Sequence, residues 1–180
     1  VGIIFVNEGE MASDPKVRFR KIKSAGVPVV FLKTVPGGKA KKMKTASIDV
    51  MVQERMIEAQ NVVGLLNNNS PQTIIIGAHY DHLGYGLDNS LYKGEPAIHN
   101  GADDNASGTA GLIALADFFS KDTAFTAVNI LFVAFSGEER GLLGSKFFAD
   151  NMEMPPEQIS YMLNMDMIGR LENRELAVSG

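Results

Sequence analysis

Three short runs of apolar, β-branched and aromatic residues set the strongest limit on the fold: Thr73 to Ala78, Val128 to Phe135 and Tyr161 to Met165. Segments of helical period separate them. One runs from about Ser107 to Ser120 and is read with Leu112, Ile113, Ala116 and Phe119 on one face; the other runs from about Leu142 to Asn151. Near-continuous apolar strands are buried on both faces, and their alternation with helices predicts an α/β fold built on a mixed, largely parallel sheet flanked by helices. With 180 residues and 45% hydrophobic content the chain can bury a core without disulfides, and it has no cysteine to form them. Histidine and carboxylate must therefore carry any metal chemistry.

The first part of the chain reads differently. Gly2 to Val6 and Pro28 to Leu32 are strand-like, with a lysine-rich segment of helical character between them. Pro36-Gly37-Gly38 breaks the pattern, and Lys39 to Lys44 is expected to form an exposed helix. Ile48, Val50 and Val52 then alternate with Asp49, Met51 and Gln53, the period of a half-buried strand, and Asn61 to Leu66 adds another before a turn-rich stretch. A boundary near residue 46 follows, giving segments 1–46 and 47–180. A start at Val1, inside an apolar stretch, leads to the expectation of a piece of a longer protein, and no run of about 18 apolar residues marks a membrane span.

Charge follows the same division. Ten of the 17 basic residues fall between Lys16 and Lys44, whereas from Thr45 onward 18 acidic residues face 7 basic ones, a net charge of −11. Phe19 and Phe31 are the only aromatic residues between Lys16 and Lys44, too few for a stacking platform, so the basic run reads as a solvated face and not as a nucleic-acid surface.

In open α/β sheets ligands bind beyond the carboxyl ends of the strands. The chemically unusual residues of this chain collect there. His79, Asp81 and His82 follow the first apolar strand, Glu138 and Glu139 the second, and Asp166 closes the third, while Asp103 and Asp104 stand just before a helix start. So many carboxylates in one crevice repel one another unless a cation joins them, and imidazole mixed with carboxylate suits zinc better than calcium or magnesium. A carboxylate bridging two ions would make a two-metal hydrolytic site. A phosphate loop of the Gly-x-x-x-x-Gly-Lys type is absent, and Ser136 lacks the Gly-x-Ser-x-Gly setting of a nucleophile.

Four motifs carry a family resemblance. They are Gly77-Ala78-His79-Tyr80-Asp81-His82-Leu83-Gly84, the run from Asn100 to Gly108, the run from Phe135 to Ser145, and Asn164-Met165-Asp166-Met167-Ile168-Gly169. In this order the chain resembles the zinc aminopeptidases of peptidase family M28, and residues 1–46 look like the end of a protease-associated domain insert. The resemblance implies an exopeptidase acting on peptide substrates with two zinc ions. Carried over, His79, Asp103, Glu139 and Asp166 bind metal, with Asp103 bridging. Asp81 orients the His79 ring, Glu138 is the general base, and the Asp103–Asp104 peptide is cis. Asp104 is left with a capping or supporting role, and His82 and His99 read as loop histidines.

The fifth ligand of the family is a histidine on a later loop, and no histidine follows His99 here. The chain alone is thus expected to hold its second zinc weakly and to be inactive. The resemblance also implies secretion or a periplasmic location. Two alternatives share the fold: a receptor or scaffold that has lost catalysis, and a single-zinc glutaminyl cyclase.

Overall fold

Alternation along the central strands decides the architecture. In the computed structural model, which describes residues 2–6, 26–32, 56–86 and 90–170 together with 45, 47 and 178, the chain forms two compact units, Val1–Arg55 and Met56–Gly180. The boundary expected near residue 46 falls inside the first of these. That unit contains β1 (Ile3–Val6) and β2 (Val29–Leu32), paired in parallel from Ile3 opposite Val29 to Val6 opposite Leu32. A parallel pair requires a crossover between its strands. The lysine-rich helix expected there, the helix at 39–44 and the alternating strand at 48–53 lie outside the described residues.

The second unit holds β3 (Val62–Leu66), β4 (Thr73–His79), α1 (Gly108–Lys121), β5 (Asn129–Phe135), α2 (Leu143–Asp150) and β6 (Ile159–Asn164). Its sheet has the order β3-β5-β4-β6, with β3 antiparallel to β5 and the other pairs parallel. This is the mixed, largely parallel sheet that the apolar pattern predicts. The chain leaves β4 through α1 to reach β5 on one side. It then passes through α2 to β6 on the other side, so the strand order reverses at β4. Such a reversal opens a crevice at the carboxyl end of the strand.

Residues two apart point to the same face of a strand, and both faces of β4 and β5 are used. Ile76, Ala78, Ile130 and Phe132 pack with Leu112, Leu115, Ala116 and Phe119 of α1. Ile75, Leu131, Val133 and Phe135 pack on the opposite face with Phe148 of α2 and with Met152. Full burial of a side chain such as Ile130 or Val133 contributes about 1.5–3 kcal/mol. At the end of the sheet remote from the crevice, the Asn129 side chain accepts from the N–H groups of Asn68 and Ser70 and donates to the Ser70 carbonyl, tying the turn after β3 to the start of β5.

Two expectations about burial are corrected. β6 is an edge strand with only β4 beside it among the described residues, and Tyr161, Met162 and Leu163 are exposed, not buried on two faces. Ile113 is exposed as well. The buried line of α1 runs through Leu112, Leu115, Ala116 and Phe119, and at about 100° per residue Ile113 turns off it.

Candidate metal centre

His79 is the last residue of β4 and is almost fully buried. Its Nδ1 lies 3.1 Å from the backbone carbonyl oxygen of Asp81, an acceptor only, so Nδ1 carries the proton and donates. Nε2 is the ring nitrogen left facing the crevice. It meets the Asp104 carboxylate at 3.3 Å, that of Asp166 at 3.5 Å and that of Glu138 at 4.0 Å. Asp166 stands two residues beyond the end of β6, whose neighbour Met165 donates its N–H to the Gly77 carbonyl of β4. Sheet pairing thus delivers two of these groups to one place.

Asp81 does something other than expected. Its side chain is 3.8 Å from His79 Nδ1, and the carboxylate instead accepts from the backbone N–H groups of Glu138, at 3.0 Å, and Glu139, at 3.3 Å. The bond that orients the His79 ring comes from the Asp81 main chain, while the Asp81 side chain fixes the turn carrying the two glutamates. That turn starts at Gly137, whose φ of 66° suits glycine.

The aspartate pair is corrected by one residue. Asp104, and not Asp103, enters the crevice. The Asp103 carboxylate accepts from Gly169 N at 2.8 Å and from the Ser107 hydroxyl at 3.2 Å, and it lies 3.6 Å from Arg170 Nε. The cis peptide joins Asp104 to Asn105, one bond later than the resemblance implied. Buried Asn105 holds this turn in place. Its side chain donates to the Met165 carbonyl and accepts from the N–H groups of Gly108 and Met167, so it caps α1 and fastens the Asp166 segment at once. A Cβ on Gly108 would stand 2.5 Å from the Met165 carbonyl oxygen, which explains glycine at a helix start packed this tightly.

Two groups of three donors result: His79, Asp104 and Asp166, and His82, Asp104 and Glu139, the donor atoms of each lying within 4.8 Å of one another. Asp104 belongs to both. Tetrahedral zinc with bonds of about 2.0–2.2 Å separates its donor atoms by roughly 3.3–3.6 Å, so the two contacts of His79 Nε2 with Asp104 and Asp166 fit such an ion. His82 and Asp104, read in the sequence as a loop histidine and a capping or supporting residue, both stand in these groups. His99 stays outside both groups, half-buried in its loop with Nε2 3.0 Å from the Ser90 hydroxyl.

Burial raises the Glu138 carboxyl above its ordinary value of 4.5; the nearby His79 opposes this, and Glu139, Asp166 and Asp81 add to it. In the metal-free chain the neutral form of Glu138 is therefore favoured by folding. Its effect on stability is nil below about pH 4.5, where both states are protonated, and becomes a penalty as pH rises toward the raised folded value. The expected outcome is that Glu138→Gln and wild-type chains melt alike in acid and that the variant melts higher at pH 8. Thermal denaturation with chelator present measures this.

The carboxyl end of this α/β sheet thus gathers imidazole and carboxylate groups around one shared aspartate. The profile of peptidase family M28 matches residues 61–180, and the chain belongs to that family. It is 28% identical over 150 residues to aminopeptidase YwaD of Bacillus subtilis, covering 80% of this chain and 29% of that protein. It is 31% identical over 139 residues to leucine aminopeptidase 1 of Trichophyton equinum, covering 72% of this chain and 35% of that protein. The fold is similar to that of a crystal structure of a Zn-dependent exopeptidase from Parabacteroides distasonis, with a TM-score of 0.50 and 24% identity over 61% of this chain and 41% of the other. The chain thus spans about a third of the length of these curated relatives.

Proposed function

We propose that the whole protein is a zinc-dependent aminopeptidase using two metal ions, with His79, Asp104 and Asp166 around one ion and Asp104 and Glu139 on the other. The observation that carries this reading is the shared position of Asp104 in two donor groups with the Glu138 carboxylate beside them. The aminopeptidase names of its relatives support the substrate class.

Zinc bound there would supply Lewis acidity for the scissile carbonyl and an acidified water. The chain's own residues do the rest. Glu138 takes a proton from the attacking water and passes it to the leaving amine, and a carboxyl held above its usual range is the better matched to that task. Asp81 keeps the Glu138 and Glu139 backbone in place through its two N–H bonds. The Asp81 carbonyl fixes the His79 tautomer that leaves Nε2 free to bind.

Zinc content and hydrolysis of aminoacyl-nitroanilides by the whole protein test the reading. Two zinc ions per chain and turnover abolished by chelator and restored by zinc are expected. Absence of both metal and turnover under zinc-replete conditions would overturn it in favour of a scaffold, and a single zinc would point to the cyclase type of site.

A further inference from the structure

We infer, on the metallopeptidase reading, that Asn61 is a positioning residue: it sets the turn that carries Glu138 and Glu139, and through that turn the second cation site and the general base. Asn61 belongs to neither donor group.

The ladder of β3 with β5 begins at Val62 opposite Ala134. Just beyond it the half-buried Asn61 side chain takes over from the backbone. Its oxygen accepts from Ser136 N–H at 3.0 Å, and its amide donates to the Gly144 carbonyl at 2.8 Å. An N–H needs an acceptor and a carbonyl a donor, so the two partners fix which way the amide points. Ser136 and Gly144 flank the turn of Glu138 and Glu139. One side chain, 75 and 83 positions away, therefore closes that turn across its base.

The backbone of the turn needs such a closure. Gly137, Gly141 and Leu142 take φ of 66°, 103° and 62°, and the Cβ of Leu142 disfavours that region. Gly141 and Leu142 donate to the Glu138 carbonyl, and Leu143 donates to that of Gly137. A segment of this kind keeps its shape only where its surroundings hold it. Asp81 holds it at the two glutamates and Asn61 at the base. A Cβ on Gly144 would collide with the Ser136 carbonyl oxygen and stand 2.5 Å from Asn61 Oδ1, so glycine lets the start of α2 close on the end of β5. Tyr80 donates its hydroxyl to the Gln60 carbonyl at 2.7 Å, which anchors the residue beside Asn61 from the end of β4.

Zinc calorimetry, with steady-state kinetics under saturating zinc, tests the role on the whole protein. Asn129→Ala is the comparison, because Asn129 is a similar clamp at the remote end of the sheet. Its loss should lower the melting temperature and leave zinc affinity and kcat unchanged. Asn61→Ala should weaken the ion at Glu139 and lower kcat, each about 10–100-fold, with KM and the ion at His79 and Asp166 little changed. Asn61→Asp keeps an acceptor for Ser136 N–H and has no donor for Gly144. It should weaken the same ion, and it carries the test if Asn61→Ala does not fold. Unchanged affinity and kcat in a folded Asn61 variant, or losses as large in Asn129→Ala, would overturn the role and leave the peptidase reading standing. A wild-type protein that binds no zinc would overturn both.

Discussion

Replacement of Glu138 by glutamine is expected to lower aminoacyl-nitroanilide turnover by the whole protein about 10²–10⁴-fold, equivalent to roughly 2.7–5.5 kcal/mol of barrier, with zinc content unchanged. The amide has nearly the shape of the carboxylate, so the backbone bonds from residues 138 and 139 to Asp81 remain in place. What it lacks is the capacity to accept a proton from water and return it to the amine. Since Glu138 Oε2 is 4.0 Å from His79 Nε2 and lies outside both donor groups, metal should stay. The effect should fall on kcat and on kcat/KM together, because the proton transfer belongs to the transition state. Unchanged turnover with full zinc occupancy would remove Glu138 from the mechanism.

Asp104→Asn should have the larger effect on metal. Asp104 alone is shared by the two donor groups of the described residues, so its loss is expected to weaken both ions by more than about 100-fold and to abolish turnover with them. Asp103→Asn is the informative control. The Asp103 side chain meets Gly169, Ser107 and Arg170 and belongs to neither donor group, so that variant should keep both ions. Zinc calorimetry on the two variants measures the contrast. The reverse outcome, with zinc lost from Asp103→Asn and kept by Asp104→Asn, would return the bridging role to Asp103.

Much of the fold was legible because its signals are local and periodic. The apolar runs of β4 and β5 and the helical spacing of α1 follow from side-chain geometry on a single element. Exposure of β6 among the described residues was not legible, since a strand's local pattern is the same whether or not a neighbour lies beside it. Ile113 was misplaced for a related reason: one residue of rotation on a helix separates the core from solvent.

The sequence by itself determined an α/β sheet, the crevice at its carboxyl end and the residue types gathered there: His79 at the end of β4, Glu138 and Glu139 after β5, Asp166 after β6. Tertiary structure decided which side chains face inward. Asp103 and Asp104 are adjacent and identical in chemistry, and the non-helical backbone at Asp104 and Asn105 sends one toward His79 and the other toward Gly169. His82 meets Glu139 only because β4 and β5 lie side by side, with His79 opposite Phe135. Contacts between residues more than fifty positions apart arise from sheet register and turn geometry, and those depend on the whole packed unit.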